Sequence, residues 1–150
     1  MPHSRSTFAA EPAAASPVVA LVVEGVDWHA RMLAQAFAAL GVRTRAISLQ
    51  SCAVETQRAG GLNIAGFEER LPDAVLVRTM SGGTFQAVTL RLGILHALRE
   101  NGVLVWNDAR AIERCVDKSM TSFLLARAGI PTPATWAVES QDSARAIVRR

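Results

Sequence analysis

Apolar runs and helical patterns alternate along this chain from Pro17 onward. Val18-Val19-Ala20-Leu21-Val22-Val23 is continuous and rich in β-branched residues, which predicts a strand covered on both faces. Asp27 is placed to cap a helix in which Leu33, Ala36, Phe37 and Leu40 share a face and Gly41 supplies the stop. Arg43 to Leu49 reads as a second strand, carrying more polar residues. Residues 51–70 hold Gly60-Gly61 and Gly66 and show no period, predicting loop with a short strand or a turn of helix. Asp73 to Arg78 is a third strand. Thr84 then caps a long helix with Phe85, Val88, Leu92 and Leu95 on one face and Leu90 and Ile94 on another. Asn101-Gly102 ends it, and Val103 to Trp106 makes a fourth strand. Continuous apolar strands alternating with helices predict an α/β fold, a parallel sheet flanked by helices.

The rhythm changes at Asn107. A short helix from Asp108 to about Cys115 runs into a second, capped by Asp117, with Met120, Phe123, Leu124 and Ala128 facing inward. Gly129 ends it, and Ile130-Pro131-Thr132-Pro133 leads into an extended strand, Ala134 to Val138, and a helix starting near Ser140 or Asp142. These shifts predict a loose tail over residues 1–16, a first domain over 17–112 and the opening of a second over 113–150. A strand with a helix or two cannot close a core of its own, so the second domain is expected to be incomplete.

Composition narrows the functional classes. Half of the 150 residues are apolar and the net charge is only +3, an ordinary globular balance. The arginines are scattered, with no basic stripe interleaved with aromatics, so no nucleic-acid partner is expected. No apolar run is long enough to span a bilayer, and Val18 to Val23 leads straight into Glu24-Gly25, unlike a signal-peptide core. Cys52 and Cys115 are isolated, with neither CxxC nor His-Cys spacing; a reducing cytoplasm is the simpler compartment.

The chemical motifs are mostly negative. The turn Glu24-Gly25-Val26-Asp27-Trp28 lacks the GxGxxG of a dinucleotide site, there is no Walker A sequence, and Arg78 stands where a phospho-acceptor domain needs an acid. Ser81-Gly82-Gly83-Thr84 could turn its amides to an anion, but a turn plus a helix cap explains it more simply. Arg78 closes the third strand at the end where parallel sheets place ligands; it either grips a carboxylate or phosphate or pairs with a neighbour. His29 and His96 lie on helices without ligand-spaced partners, and Cys115 takes an inward, packing position. No catalytic residue or metal ligand is assigned. Lys118 stands out: the other fifteen basic residues are all arginine. A lysine offers a compact rotatable ammonium suited to a phosphate. At a helix start it opposes the dipole, which makes sense if an anion is held there, while Asp117 has an ordinary role as the cap.

One ordered set is more discriminating than its parts. It runs from Asp73–Arg78 and the glycine loop through Gly102–Asn107, Ala111-Ile112 and Asp117-Lys118 to Leu124-Leu125-Ala126-Arg127-Ala128-Gly129-Ile130-Pro131-Thr132-Pro133-Ala134-Thr135. In this set the chain resembles the N-terminal part of the ribosomal-protein-S6-modification (RimK-like) α-L-glutamate ligases of the ATP-grasp superfamily. The resemblance implies a Rossmann-like pre-ATP-grasp domain followed by the truncated start of an ATP-grasp α+β domain. It implies ligation of an amino acid, commonly glutamate, to a protein or small-molecule carboxylate, with ATP and Mg2+ (or Mn2+) as cofactors of the full-length enzyme. On the matching positions Lys118 would contact the nucleotide, Arg78 would face the substrate and Asn107 would shape the hinge beside it. The family's second lysine, glycine-rich flap and magnesium ligands have no match between Ala134 and Arg150, so the chain alone is expected to be inactive. Self-association is left open. The competing expectation is a non-catalytic α/β module that binds a small anion or a protein partner.

Overall fold

The computed structural model of the chain describes residues 16–149. The tail expected over 1–16 lies outside them, apart from Ser16. In chain order the elements are β1 (Val18–Val22), α1 (Trp28–Ala39), β2 (Arg43–Ile47), β3 (Ala53–Val54) and β4 (Leu62–Asn63), then β5 (Ala74–Val77), α2 (Phe85–Glu100) and β6 (Leu104–Trp106). Three helices follow: α3 (Ala109–Val116), α4 (Lys118–Arg127) and α5 (Gln141–Val148). The main sheet is parallel, in the order β2-β1-β5-β6, as the alternating pattern predicts; β3 and β4 form a separate antiparallel pair.

The central position of β1 accounts for its continuous apolar run. Val22 is in register with Ile47 on one side and Val77 on the other. Ala20 and Val22 join Val75, Val77 and Val105 beneath Leu92, Ile94, Leu95 and Leu98 of α2. Leu21 and Val23 pack with Ala30 on the opposite face, where Leu33 and Leu76 adjoin them. Asp73 fastens the lower edge: the Val18 amide donates to its Oδ2 at 2.7 Å and Arg70 pairs with it at 3.0 Å. The Val18 bond, chiefly, holds the Asp73 carboxyl below the usual range.

Several local expectations are corrected. The segment 51–70 has the expected short strand and helical turn, with β3 and β4 as a brief hairpin, but it also buries Leu62 and Ile64 in the main core, which its lack of period did not show. Phe85 and Leu90 are exposed, because the first turns of α2 bury nothing before Leu92. In α1 the half-buried face is Leu33, Ala34 and Phe37 beside buried Ala30, while Ala36 and Leu40 are exposed. Residues 134–138 pair with no strand among the described residues. Met120 and Phe123 do not face a core; neither α4 nor α5 buries a residue. Among the described residues no helix is long and apolar enough to cross a membrane.

Candidate functional site

From β1 the chain crosses to β2 on one side, then returns to β5 on the other. The strand order therefore reverses between β1 and β5, and a crevice opens at their carboxyl ends, where open parallel sheets bind ligands. Backbone bonds fix its floor. The amides of Arg78 and Thr79 both donate to the Val22 carbonyl, at 3.0 and 3.2 Å, and the Glu24 amide donates to Thr79 Oγ1 at 3.0 Å.

Asp27 caps α1 by accepting the Ala30 amide at 2.8 Å. Its Oδ2 also meets His29 Nδ1 at 3.4 Å and Arg78 Nη2 at 3.6 Å. The Ala30 bond, chiefly, holds the Asp27 carboxyl below its usual range; His29 and Arg78 act in the same direction and partial desolvation opposes them. At 3.6 Å the Arg78 contact is too long for a hydrogen bond, so its guanidinium fork donates to no described residue.

Asn107 follows β6 across a cis peptide bond after Trp106 and donates Nδ2 to the Val77 carbonyl at 3.2 Å, tying the ends of β5 and β6. The next residue, Asp108, caps α3 through the Ala111 amide at 2.8 Å and pairs with Arg99 of α2 at 2.9 Å. His96 and Glu113, 2.8 Å apart, make a second tie between those helices, a partner for His96 that helical spacing did not show. The Lys118 ammonium donates to the Cys115 carbonyl at 2.6 Å. It thus serves the negative end of α3 as well as standing at the start of α4, and the dipole no longer calls for an anion there. Asp117 caps α4 through Met120 at 2.9 Å, and its carboxyl is lowered chiefly by the Ser119 hydroxyl. Cys115 is exposed rather than packed inward, and both cysteines are free.

The three residues singled out from sequence converge. Arg78, Asn107 and Lys118 line one cavity of roughly 450 Å³, together with Met80, Ile112 and Cys115. A second cavity, roughly 460 Å³, lies beside Arg43, Arg45 and Arg70. Size does not separate the two; place does, since the first lies at the carboxyl ends of β5 and β6 and the second beside the amino ends of β1 and β2. Arg43 donates to the Ser16 carbonyl, Arg45 donates to the Gly66 carbonyl and stacks over Phe67, and Arg70 is bound to Asp73. The glycine loop is occupied likewise: Arg91 donates to the Ser81 and Gly82 carbonyls, and Thr84 caps α2 through Ala87 at 3.2 Å. Among the described residues no three His, Cys, Asp or Glu side chains are grouped to hold a metal ion. Asp27, expected only as a cap, and His29, set aside for want of a partner, were not assigned to the site from sequence. Their nearness to Arg78 becomes visible only once β5 is known to neighbour β1.

No family model matches the chain. In sequence it is 34% identical over 133 residues to the tetrahydromethanopterin:α-L-glutamate ligase of Methanosarcina acetivorans, covering 82% of this chain and 40% of that protein. In fold it is similar to a RimK domain ATP-grasp protein from Sphaerobacter thermophilus, with TM-score 0.64 and 23% identity over 87% of this chain and 44% of the other. It is also similar to the ATP-grasp ligase PsnB, solved with a phosphomimetic variant of its minimal precursor, Mg and ADP; the TM-score is 0.60 at 20% identity, over 89% and 51%. The chain is thus similar in sequence to part of a glutamate ligase and in fold to parts of two ATP-grasp proteins, and it spans 40% to 51% of the lengths of these proteins.

Proposed function

We propose that this chain forms the acceptor side and part of the nucleotide side of an ATP-dependent carboxylate–amine ligase, adding glutamate or another amino acid to a protein or small-molecule carboxylate. The observation that carries this is the convergence of Arg78, Asn107 and Lys118 on one cavity at the carboxyl end of the sheet. In such a reaction an acceptor carboxylate oxygen attacks the γ-phosphorus of ATP and ADP leaves. The incoming amine then attacks the acyl carbon, phosphate departs, and the nitrogen gives up a proton as the amide forms. Two anions must meet in the first step, so cations have to offset their repulsion.

Arg78 suits the acceptor carboxylate, because its contact with Asp27 is too long for a hydrogen bond and its fork matches two carboxylate oxygens. Lys118 takes a phosphate oxygen by exchanging it for the Cys115 carbonyl. Asn107 keeps the ends of β5 and β6 together beneath both groups. We place the first domain over 17–112, the start of the second over 113–150, and the protein in the cytoplasm. Magnesium would neutralise phosphate charge in such a ligase, but the described residues group no ligands that fit it.

Calorimetric titration of the purified chain with ATP tests the assignment. Binding that is lost in Lys118→Ala supports it, and equal binding by both proteins removes the lysine's role. A purely binding module is the second possibility, favoured by the bond that already occupies the ammonium. It predicts that Lys118→Ala loosens α3 while leaving anion binding unchanged.

A further inference from the structure

The two faces of the sheet are covered unequally. On the α2 side Val75, Val77 and Val105 are all buried. On the opposite side α1 lies over β1 and β2, and the core beneath it takes in Leu76 of β5 only in part. Leu104 and Trp106 point to that side, because Val105 between them points to the other, and they are 66% and 65% exposed. β5 and β6 therefore present a bare apolar ledge two strands wide, about 10 Å. The helix beside it is apolar on its back as well. Trp28, Met32, Ala36 and the C-capping Leu40 recur every four residues, the spacing of a helix ridge, and all four are exposed. From Trp28 to Ala39 the helix holds no acid and one arginine, Arg31. A helix apolar on both sides is ordinarily covered on both. With its side chains it is about 10 Å across, the width of the ledge.

We infer that this face joins two copies of the chain, the α1 ridge of each lying on the β5–β6 ledge of the other. Ridge and ledge stand side by side on one face, so a two-fold axis along the strands lays each α1 over the other copy's ledge. That single operation covers both ridges and both ledges, and the assembly closes at two. The exposed parts of Trp28, Met32, Leu40, Leu104 and Trp106 amount to several hundred Å² per copy, approaching the ~800 Å² per partner of a standard interface. The axis also fixes the pairing, since rotation about the strand direction leaves heights along the strands unchanged. Ala30 packs with Leu21 and Val23, and Met32 lies about 3 Å further along α1, which runs back down the strands. Trp106 is level with Leu76 and, through it, with Leu21. Met32 of one copy therefore meets Trp106 of the other. The inference is independent of the ligase assignment.

Sedimentation equilibrium of the purified chain should give twice its 16.0 kDa, with a dissociation constant of about 1 µM or below. Met32→Lys and Trp106→Glu, both at exposed positions, should each keep the parent's circular dichroism spectrum. Each should weaken the dimer about a hundredfold or more, because each buries an unpaired charge at both contacts. Mixed in equal amounts, the two variants should recover a dimer, since lysine then faces glutamate across one contact and the native pair remains at the other. Phe85→Glu puts a charge on a more exposed residue, at the start of α2 beyond the other face of the sheet, and should leave the dimer unchanged. A monomer at every concentration would leave the ledge to a different occupant and overturn the inference. So would an open series of larger species, a dimer indifferent to both substitutions, or no recovery on mixing.

Discussion

Ile64 is fully buried in the segment that the sequence leaves as loop, and it packs in the core layer with Leu62, Leu49 and Cys52 on the α2 side of the sheet. Ile64→Ala removes three carbons from that layer. At ~0.8 kcal/mol per buried carbon the transfer loss is about 2.4 kcal/mol, and the unfilled cavity raises it to roughly 3–4 kcal/mol. For a body of this size such a loss corresponds to a fall in Tm of roughly 10 °C. Urea unfolding followed by far-ultraviolet circular dichroism should show a lower midpoint at an unchanged slope, which separates lost stability from a changed unfolded state. Val54 lies in the same segment but is exposed, so Val54→Ala should stay within about 0.5 kcal/mol of the parent. A loss below about 1 kcal/mol for Ile64→Ala would show that residues 51–70 do not close the core.

Phe85→Ser should leave Tm within a degree or two, whereas Leu95→Ala, from the buried face of the same helix, should cost about 2–5 kcal/mol; comparable losses would reverse the assignment of that face. A chromogenic disulfide reagent should modify exposed Cys115 at once. Cys52 should react only with unfolding, because it is buried and desolvation pushes its thiol up; two fast equivalents of thiol would contradict this. Asp27, Asp73, Asp108 and Asp117 all have native carboxyls held below their ordinary value of 3.8. Their contribution is complete above that value and is lost as pH falls through the lower native values. Tm should therefore hold steady down to about pH 5 and drop below about pH 4, less steeply in Asp73→Asn; a Tm equal at pH 3 and pH 7 would be inconsistent with those bonds.

The parallel sheet was legible because β1 is buried on both faces, β5 is buried on one and half-covered on the other, and both write this as unbroken apolar runs. The caps Asp27, Thr84 and Asp117 were legible because each stands just before a helix that it closes through a local bond. The face of α2 was only half legible. Periodicity names the residues that could be buried, but the extent of the layer beneath the helix leaves its first turns uncovered. Ile64 was illegible because its partners lie far off in sequence and no local period marks it. At the site, Arg78 and Lys118 each carried a signal of their own, an end-of-strand cation and a solitary lysine. The link among Asp27, His29 and Arg78 depends on β5 lying beside β1, a fact of strand order that no local pattern contains.

The bond from Lys118 to the Cys115 carbonyl makes anion capture an exchange rather than an addition. A ligand that takes the ammonium gains only the difference between its own oxygen and that carbonyl, and it leaves the last turn of α3 without its donor. Occupancy of the cavity would then be felt along α3 as faster amide exchange near Val116, even though that helix gains no contact of its own. The residue that holds the helix end closed is thus the one a ligand must borrow, which couples filling of the site to loosening of its wall.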